Sequence, residues 1–132
     1  MQVAVVGLGK IGLPLAVQYA SRGLTTVGLD VNPAVVADVN AGREPFPGEH
    51  DLDVMLAKSV ADGTLRATVV AEEAVREADV IVIVVPLLTD PVTAEPDFRI
   101  MEAATGAIGP HLKPGALVIY ETTLPVGTTR AR

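Results

Sequence analysis

Apolar residues recur along this chain in two alternating rhythms. Short unbroken runs, closed by a glycine, a proline or a polar residue, alternate with longer segments in which apolar residues return every three or four positions. The runs are Val3-Ala4-Val5-Val6, Thr26-Val27-Gly28-Leu29, residues 65–70, Val80-Ile81-Val82-Ile83-Val84-Val85 and residues 116–120, each of strand length. The run 80–85, entirely β-branched and without polar alternation, is the expected central strand, buried on both faces. Between the runs the spacing predicts helices over 10–21, 33–42, 52–63, 72–77 and 97–109. Gly23 supplies the left-handed residue beyond the first helix, and Pro14 falls in its first turn, where the missing N–H has no intrahelical partner. Asn32 is placed as the N-cap of the second helix and Pro33 as its first residue, with Val35, Val36 and Val39 inward. Leu52, Met55, Leu56 and Val60 line the third helix. Met101, Ala104 and Ile108 line the helix that Asp97 caps. Residues 43–51 and 87–96 read as loops.

Strands that alternate with helices through right-handed crossovers make an α/β domain, a Rossmann-type doubly wound parallel sheet of about five strands in the order 3-2-1-4-5. Such sheets bind ligands outside the carboxyl ends of the strands, where the order reverses between the first and the fourth. Three segments distant in sequence converge there: 7–12, 85–89 and 122–123.

At 132 residues the chain suits one domain with a real core, and 49% hydrophobic residues fit a sheet covered on both faces. The net charge of -6 at pH 7, the absence of a basic stripe and 3% aromatic residues argue against a nucleic-acid surface. With no cysteine, disulfides, thiolate metal sites and thiol catalysis are excluded from this chain. His50 and His111 lie far apart in loop sequence, so no metal site is expected. No apolar run approaches the length of a membrane span, and Met1 leads into a strand without a basic leader, so no membrane partner is expected and a cytoplasmic location is the default.

The candidate chemistry begins at Gly7-Leu8-Gly9-Lys10-Ile11-Gly12, a G-x-G-x-x-G element between the first strand and the first helix. Gly7 permits the tight turn, Gly9 lets a pyrophosphate approach the backbone, and Gly12 lets helix and strand pack closely. The free N–H groups around Lys10 and Ile11, with the helix dipole, then hold the phosphate charge. Asp30 ends the second strand about 20 residues further on, where an acid accepts hydrogen bonds from the adenosine ribose. A carboxylate there repels the 2′-phosphate of NADP, and no arginine stands beside it, so the expected cofactor is NAD. Asp30→Ala is expected to weaken NADH binding and narrow the gap between the two cofactors. Thr122 and Thr123, at the exit of the last strand, either meet the cofactor or satisfy local backbone. Glu121 reads as a solvated acid, and Asp90, Glu95 and Asp97 as an acidic loop with a solvating and capping role.

These residues resemble the UDP-glucose/GDP-mannose dehydrogenase family of nucleotide-sugar 6-dehydrogenases. The resemblance rests on Gly7-Leu8-Gly9-Lys10-Ile11-Gly12-Leu13-Pro14-Leu15-Ala16, Asp30-Val31-Asn32, Asn40-Ala41-Gly42, Ala78-Asp79 before a Val-Pro strand end, and Thr122-Thr123-Leu124-Pro125-Val126-Gly127-Thr128-Thr129. It implies oxidation of a sugar C6 alcohol to the carboxylate with NAD, the nucleotide sugar being the partner of the full-length enzyme and a homodimer its assembly. It implies that Gly7, Gly9, Lys10, Ile11 and Gly12 hold the pyrophosphate, Asp30 the ribose, and Val85, Pro86 and Thr89 the nicotinamide half. Thr122 would stand at the cofactor, and Thr123 would help position the catalytic water. The chain departs from the family in having Lys10 where an aromatic residue is common, Val35 where an arginine is frequent, Leu87-Leu88 after Val85-Pro86, and no Glu-Pro-Gly in the 46–51 loop. The family's catalytic cysteine and lysine and its dimerisation and sugar-nucleotide domains lie outside residues 1–132. The expectation is thus an NAD-binding domain, ending before any sixth strand, that cannot complete the oxidation alone. A stand-alone NAD(H)-binding regulatory module and the cofactor domain of a related hydroxyacid dehydrogenase are the alternatives.

Overall fold

The computed structural model describes residues 1–131. Its strands are β1 (Gln2–Val6), β2 (Thr25–Leu29), β3 (Leu65–Thr68), β4 (Val80–Ile83), β5 (Leu88–Thr89), β6 (Pro96–Asp97) and β7 (Leu117–Tyr120). Its helices are α1 (Gly12–Ser21), α2 (Pro33–Asn40), α3 (Leu52–Ala61), α4 (Ala71–Val75), α5 (Arg99–Ile108) and α6 (Thr128–Ala131). The five apolar runs pair in parallel as β3-β2-β1-β4-β7, the expected order. Side chains of β1 alternate between two cores: Val3 and Val5 meet α1, α2 and α3, while Ala4 and Val6 meet α4 and α5. Leu29, Val6, Ile83 and Tyr120 share one register row, which sets four strand exits side by side.

Polar side chains secure the margins of this sheet. The Asn40 carboxamide, at the end of α2, accepts the Ala67 N–H at 2.8 Å and donates to the Ala67 carbonyl at 2.9 Å, occupying the free edge of β3 as another strand would. At the amino ends, Asp79 accepts the Lys113 ammonium at 2.7 Å and the Gln2 N–H at 2.8 Å, and these two bonds hold its carboxyl below the usual carboxylate range.

Several boundaries differ from the pattern. The 80–85 run leaves the sheet after Ile83, because β1 ends at Val6 and Gly7 turns away; the last bond on that side is Val84 N–H to Val6 O at 2.8 Å. The 65–70 strand stops at Thr68, whose hydroxyl accepts the Val70 N–H at 3.0 Å and leaves Val69 and Val70 exposed. The helix expected over 72–77 is the shorter α4. In α3 the buried stripe is Leu52, Leu56 and Ser59, and Met55 lies outside it, exposed. The expected 87–96 loop contains the antiparallel β5–β6 hairpin, whose turn folds around Asp90: its carboxylate accepts the Val92 and Thr93 N–H groups at 2.8 Å each. Asp97 is therefore a strand residue and Phe98 flanks α5, although the Asp97 carboxylate still accepts the Arg99 N–H at 3.0 Å. Asn32 caps α2 as expected, accepting the Ala34 N–H at 2.9 Å. Among the described residues no helix is long and apolar enough to cross a membrane.

Candidate functional site

The carboxyl edge of the sheet is shaped first by three glycines. Gly7 has φ +97°, a conformation L side chains rarely adopt, and a Cβ on it would stand 2.9 Å from the Val84 carbonyl oxygen. A Cβ on Gly12 would meet the Gly7 oxygen at 1.7 Å. A Cβ on Gly9 would meet nothing within 4 Å. The protein itself therefore excludes side chains at Gly7 and Gly12, whereas at Gly9 it leaves open the space a side chain would fill. That is the cradle a pyrophosphate requires. The first helical bond runs from Leu13 N–H to Gly9 O at 3.0 Å, so the preceding N–H groups of Lys10, Ile11 and Gly12 have no intrahelical acceptor. They are donors at a helix N-terminus of favourable sign for an anion.

A second layer holds this turn. Gly7 N–H donates to Leu29 O at 2.8 Å, and Leu8 N–H donates to the Asp30 Oδ2 at 2.9 Å. The Asp30 Oδ1 accepts the Asn32 N–H at 2.9 Å. Leu8 is fully buried and occupies the volume over Gly28, where an added Cβ would stand 2.6 Å from Leu8 Cδ1. Sequence reasoning passed over Leu8 and Gly28; the available signal was a glycine inside an otherwise apolar strand.

Across the edge, the exits of β4 and β7 are joined by hydrogen bonds. Glu121 N–H donates to Ile83 O at 2.9 Å, and the Thr122 hydroxyl donates to Val85 O at 2.8 Å. Of the two readings left open for the threonines, Thr122 thus satisfies backbone, while its oxygen keeps lone pairs for a further donor. Thr123, beside it, is exposed. Val85 is buried, Pro86 is exposed, and Thr89 is carried into the hairpin, where it pairs with Pro96. Val35, at the position of the family's arginine, faces the core.

Lys10, Gly9 and Pro14 line a cleft of about 240 Å³ with Phe46, Pro47 and Glu49 of the loop before α3, and the Lys10 ammonium has no partner among the described residues. Beyond the threonines, Phe98, Met101, Thr105, Tyr120 and Leu124 line a second cleft of about 320 Å³, with the Thr105 and Tyr120 hydroxyls 2.9 Å apart. Among the described residues no three His, Cys, Asp or Glu side chains converge as a metal site requires. His50 is exposed beside Asp51, at 3.2 Å. The strongest carboxyl shift belongs to Asp97, lowered to about 2 chiefly by the Arg99 guanidinium and also by the Arg99 N–H. Asp90 is lowered by the Thr93 and Val92 N–H groups. The arrangement fits a dinucleotide: donors and an open backbone for the pyrophosphate, and a carboxylate at the end of β2 for the ribose. Bound NAD would supply the hydride acceptor; the chain's own residues bind and orient.

Three comparisons agree with this geometry. Residues 1–132 match the model of the UDP-glucose/GDP-mannose dehydrogenase family, NAD binding domain. The chain is 43% identical over 127 residues to NDP-N-acetyl-D-galactosaminuronic acid dehydrogenase of Ralstonia nicotianae, covering 96% of this chain and 29% of that protein. It is 42% identical over 128 residues to UDP-N-acetyl-D-mannosamine dehydrogenase of Campylobacter jejuni, covering 97% of this chain and 30% of that protein. The structure of the UDP-D-ManNAc dehydrogenase from Pyrococcus horikoshii superposes with a TM-score of 0.92 at 34% identity, over 99% of this chain and 30% of that one. The chain thus spans under a third of the length of each of these three relatives.

Proposed function

Because this chain belongs to the UDP-glucose/GDP-mannose dehydrogenase family, as its NAD-binding domain, we propose that it is the cofactor domain of an enzyme that oxidises the C6 alcohol of a nucleotide sugar to the carboxylate. In that reaction the alcohol carbon loses two hydrides in succession to two NAD, and one water supplies the second carboxylate oxygen. The catalytic nucleophile and the dimerisation and sugar-nucleotide domains then lie outside residues 1–132, and this chain alone binds cofactor without turnover. The N–H groups of Lys10, Ile11 and Gly12 hold the pyrophosphate across Gly7 and Gly9, and Asp30 takes the adenosine ribose. Val85, Pro86 and Thr89 border the nicotinamide half, Thr122 stands at the cofactor, and Thr123 orients the attacking water through a hydroxyl that both donates and accepts.

The observation that supports this reading best is the contrast between Gly9, whose missing side chain leaves open space, and Gly7 and Gly12, whose missing side chains the protein itself requires. Fluorescence titration of the purified chain with NADH and NADPH tests it. NADH should saturate the chain with at least tenfold preference over NADPH, roughly the discrimination one repelled charge provides; equal or tighter NADPH binding would overturn the Asp30 assignment. The names of the relatives with 42% and 43% identity favour an N-acetylated amino sugar on the nucleotide. An intact enzyme carrying this domain should reduce NAD faster with UDP-N-acetyl-D-mannosamine than with UDP-glucose. The reading also carries a cytoplasmic location, where NAD and nucleotide sugars are both at hand, and assembly as a homodimer.

A further inference from the structure

Asp30 is bonded to the protein on both oxygens. Oδ2 takes the Leu8 N–H and Oδ1 the Asn32 N–H, each at 2.9 Å. The first bond reaches across from β2 to the middle of the glycine turn; the second fixes the residue that caps α2 through the Ala34 N–H at 2.9 Å. The turn is fastened to the end of β2 in three ways: Gly7 N–H on Leu29 O, Leu8 N–H on Asp30, and the Leu8 side chain over Gly28. Of these, only the Leu8 N–H bond depends on a polar side chain.

We infer that Asp30 is a positioning residue for the phosphate-binding turn as well as a ribose acceptor, so that the preference for NAD is built into the anchoring of the turn. This rests on the reading of residues 7–12 as the cofactor turn. A carboxylate offers acceptors on both oxygens, and two N–H groups can use it at once while lone pairs remain for a ribose hydroxyl. An asparagine presents an oxygen to one of the two amides and an NH₂ to the other, leaving either Leu8 or Asn32 facing a donor. Alanine leaves both without a partner. Removing the charge therefore frees the turn that either cofactor needs, and does not create a place for a 2′-phosphate. The gap between NADH and NADPH narrows because NADH weakens, not because NADPH gains.

The test compares the wild-type chain with Asp30→Asn and Asp30→Ala, without cofactor and under titration. In the cofactor-free wild type the Leu8 and Asn32 amides should exchange hydrogen at least tenfold more slowly than the Lys10 amide, a measurement that needs no variant. In Asp30→Ala both should lose protection, and in Asp30→Asn one should keep part of it, with Tm lowered by on the order of 5 °C. NADH affinity should fall at least tenfold in both variants and NADPH affinity should not rise. A Leu8 amide that exchanges as freely as Lys10 in the wild type would overturn the inference. So would a variant of wild-type Tm whose NADPH affinity climbs to the wild-type NADH level. A wild type that binds neither cofactor would sink the proposed function instead, and the two amides would still decide whether Asp30 positions the turn.

Discussion

The two halves of the carboxyl edge are built by different means. Around β1 and β2 the backbone does most of the shaping: Gly7 and Gly12 admit no side chain, the Gly7 N–H bonds the Leu29 carbonyl, Leu8 is buried over Gly28, and one carboxylate adds a side-chain tie from the turn to β2. Around β4 and β7 side chains do more of it: beside the backbone bond from Glu121 to Ile83, a threonine hydroxyl joins the two exits, and the hairpin beyond Val85 is folded by Asp90 and tied to α5 by Asp97 and Arg99. Sterically determined structure tolerates no substitution but asks little of the solvent. Structure held by polar side chains accepts substitution at modest cost and responds to pH. The half expected to take the charged, invariant part of a dinucleotide is thus the sterically determined one.

The sharpest way to break that contrast is inside the turn itself. Gly12→Ala should be the most damaging change in the molecule, because its methyl would lie 1.7 Å from a backbone oxygen that no rotamer can move. The expected cost is about 3 kcal/mol or more, lowering Tm by roughly 10 °C and abolishing NADH binding. Gly9→Ala should separate shape from ligand. With nothing within 4 Å of the new methyl, Tm should stay within about 2 °C of wild type while NADH affinity falls at least tenfold, as expected where backbone and pyrophosphate meet. A Gly9→Ala chain that binds normally would mean the space above Gly9 is not where the cofactor passes.

The other half should give smaller effects. Thr122→Val keeps the volume but removes the donor to Val85 O; a lost bond of this kind costs about 1 kcal/mol, visible in chemical denaturation, with only a few-fold loss of NADH affinity. Thr123→Val, at an exposed hydroxyl, should leave stability within about 0.5 kcal/mol of wild type. Equal losses from the two would undo the distinction drawn between them.

The sterically determined half was also the half that could be read from the sequence. Glycine spacing, unbroken apolar runs and a terminal acid are local signals, and with the alternation of strands and helices they led to the observed strand order. What stayed hidden depends on contacts between distant residues. Thr122 finds its acceptor 37 positions away, on Val85. Asp30 reaches back 22 positions to Leu8, a bond that nothing in the sequence around either residue signals. The β5–β6 hairpin was missed because its strands are two residues long and its turn is set by one aspartate in a stretch whose composition reads as loop. Met55 fell on the expected apolar stripe of α3, yet the core there takes Leu52, Leu56 and Ser59.

The smallest expected effect concerns acid, and it bears on the hairpin alone. Asp97 is held at about 2, first by the Arg99 side chain and then by the Arg99 N–H, and Asp90 is lowered by its two backbone donors. An unfolded aspartate titrates near 3.9. The folded value of Asp97 lies below it, so its stabilisation is fully present above about pH 4 and is lost as pH falls from about 4 toward about 2; Asp90 is shifted in the same direction, and its stabilisation is likewise lost on the acid side of the ordinary aspartate range. Both groups are solvent-accessible, so the change should appear as local loosening and not as global unfolding. Measured against intrinsic exchange rates, amide protection at Arg99 should fall over that interval, and at Val92 and Thr93 it should fall in the same direction as pH drops, ahead of Val5 and Ile81 in the buried strands. Asp97→Asn, which keeps the shape and discards the anion, should remove the pH dependence at Arg99 and leave that at Val92 and Thr93, which answer to Asp90. If Arg99 kept its acid response in this variant, the ion pair would not be what ties the hairpin to α5.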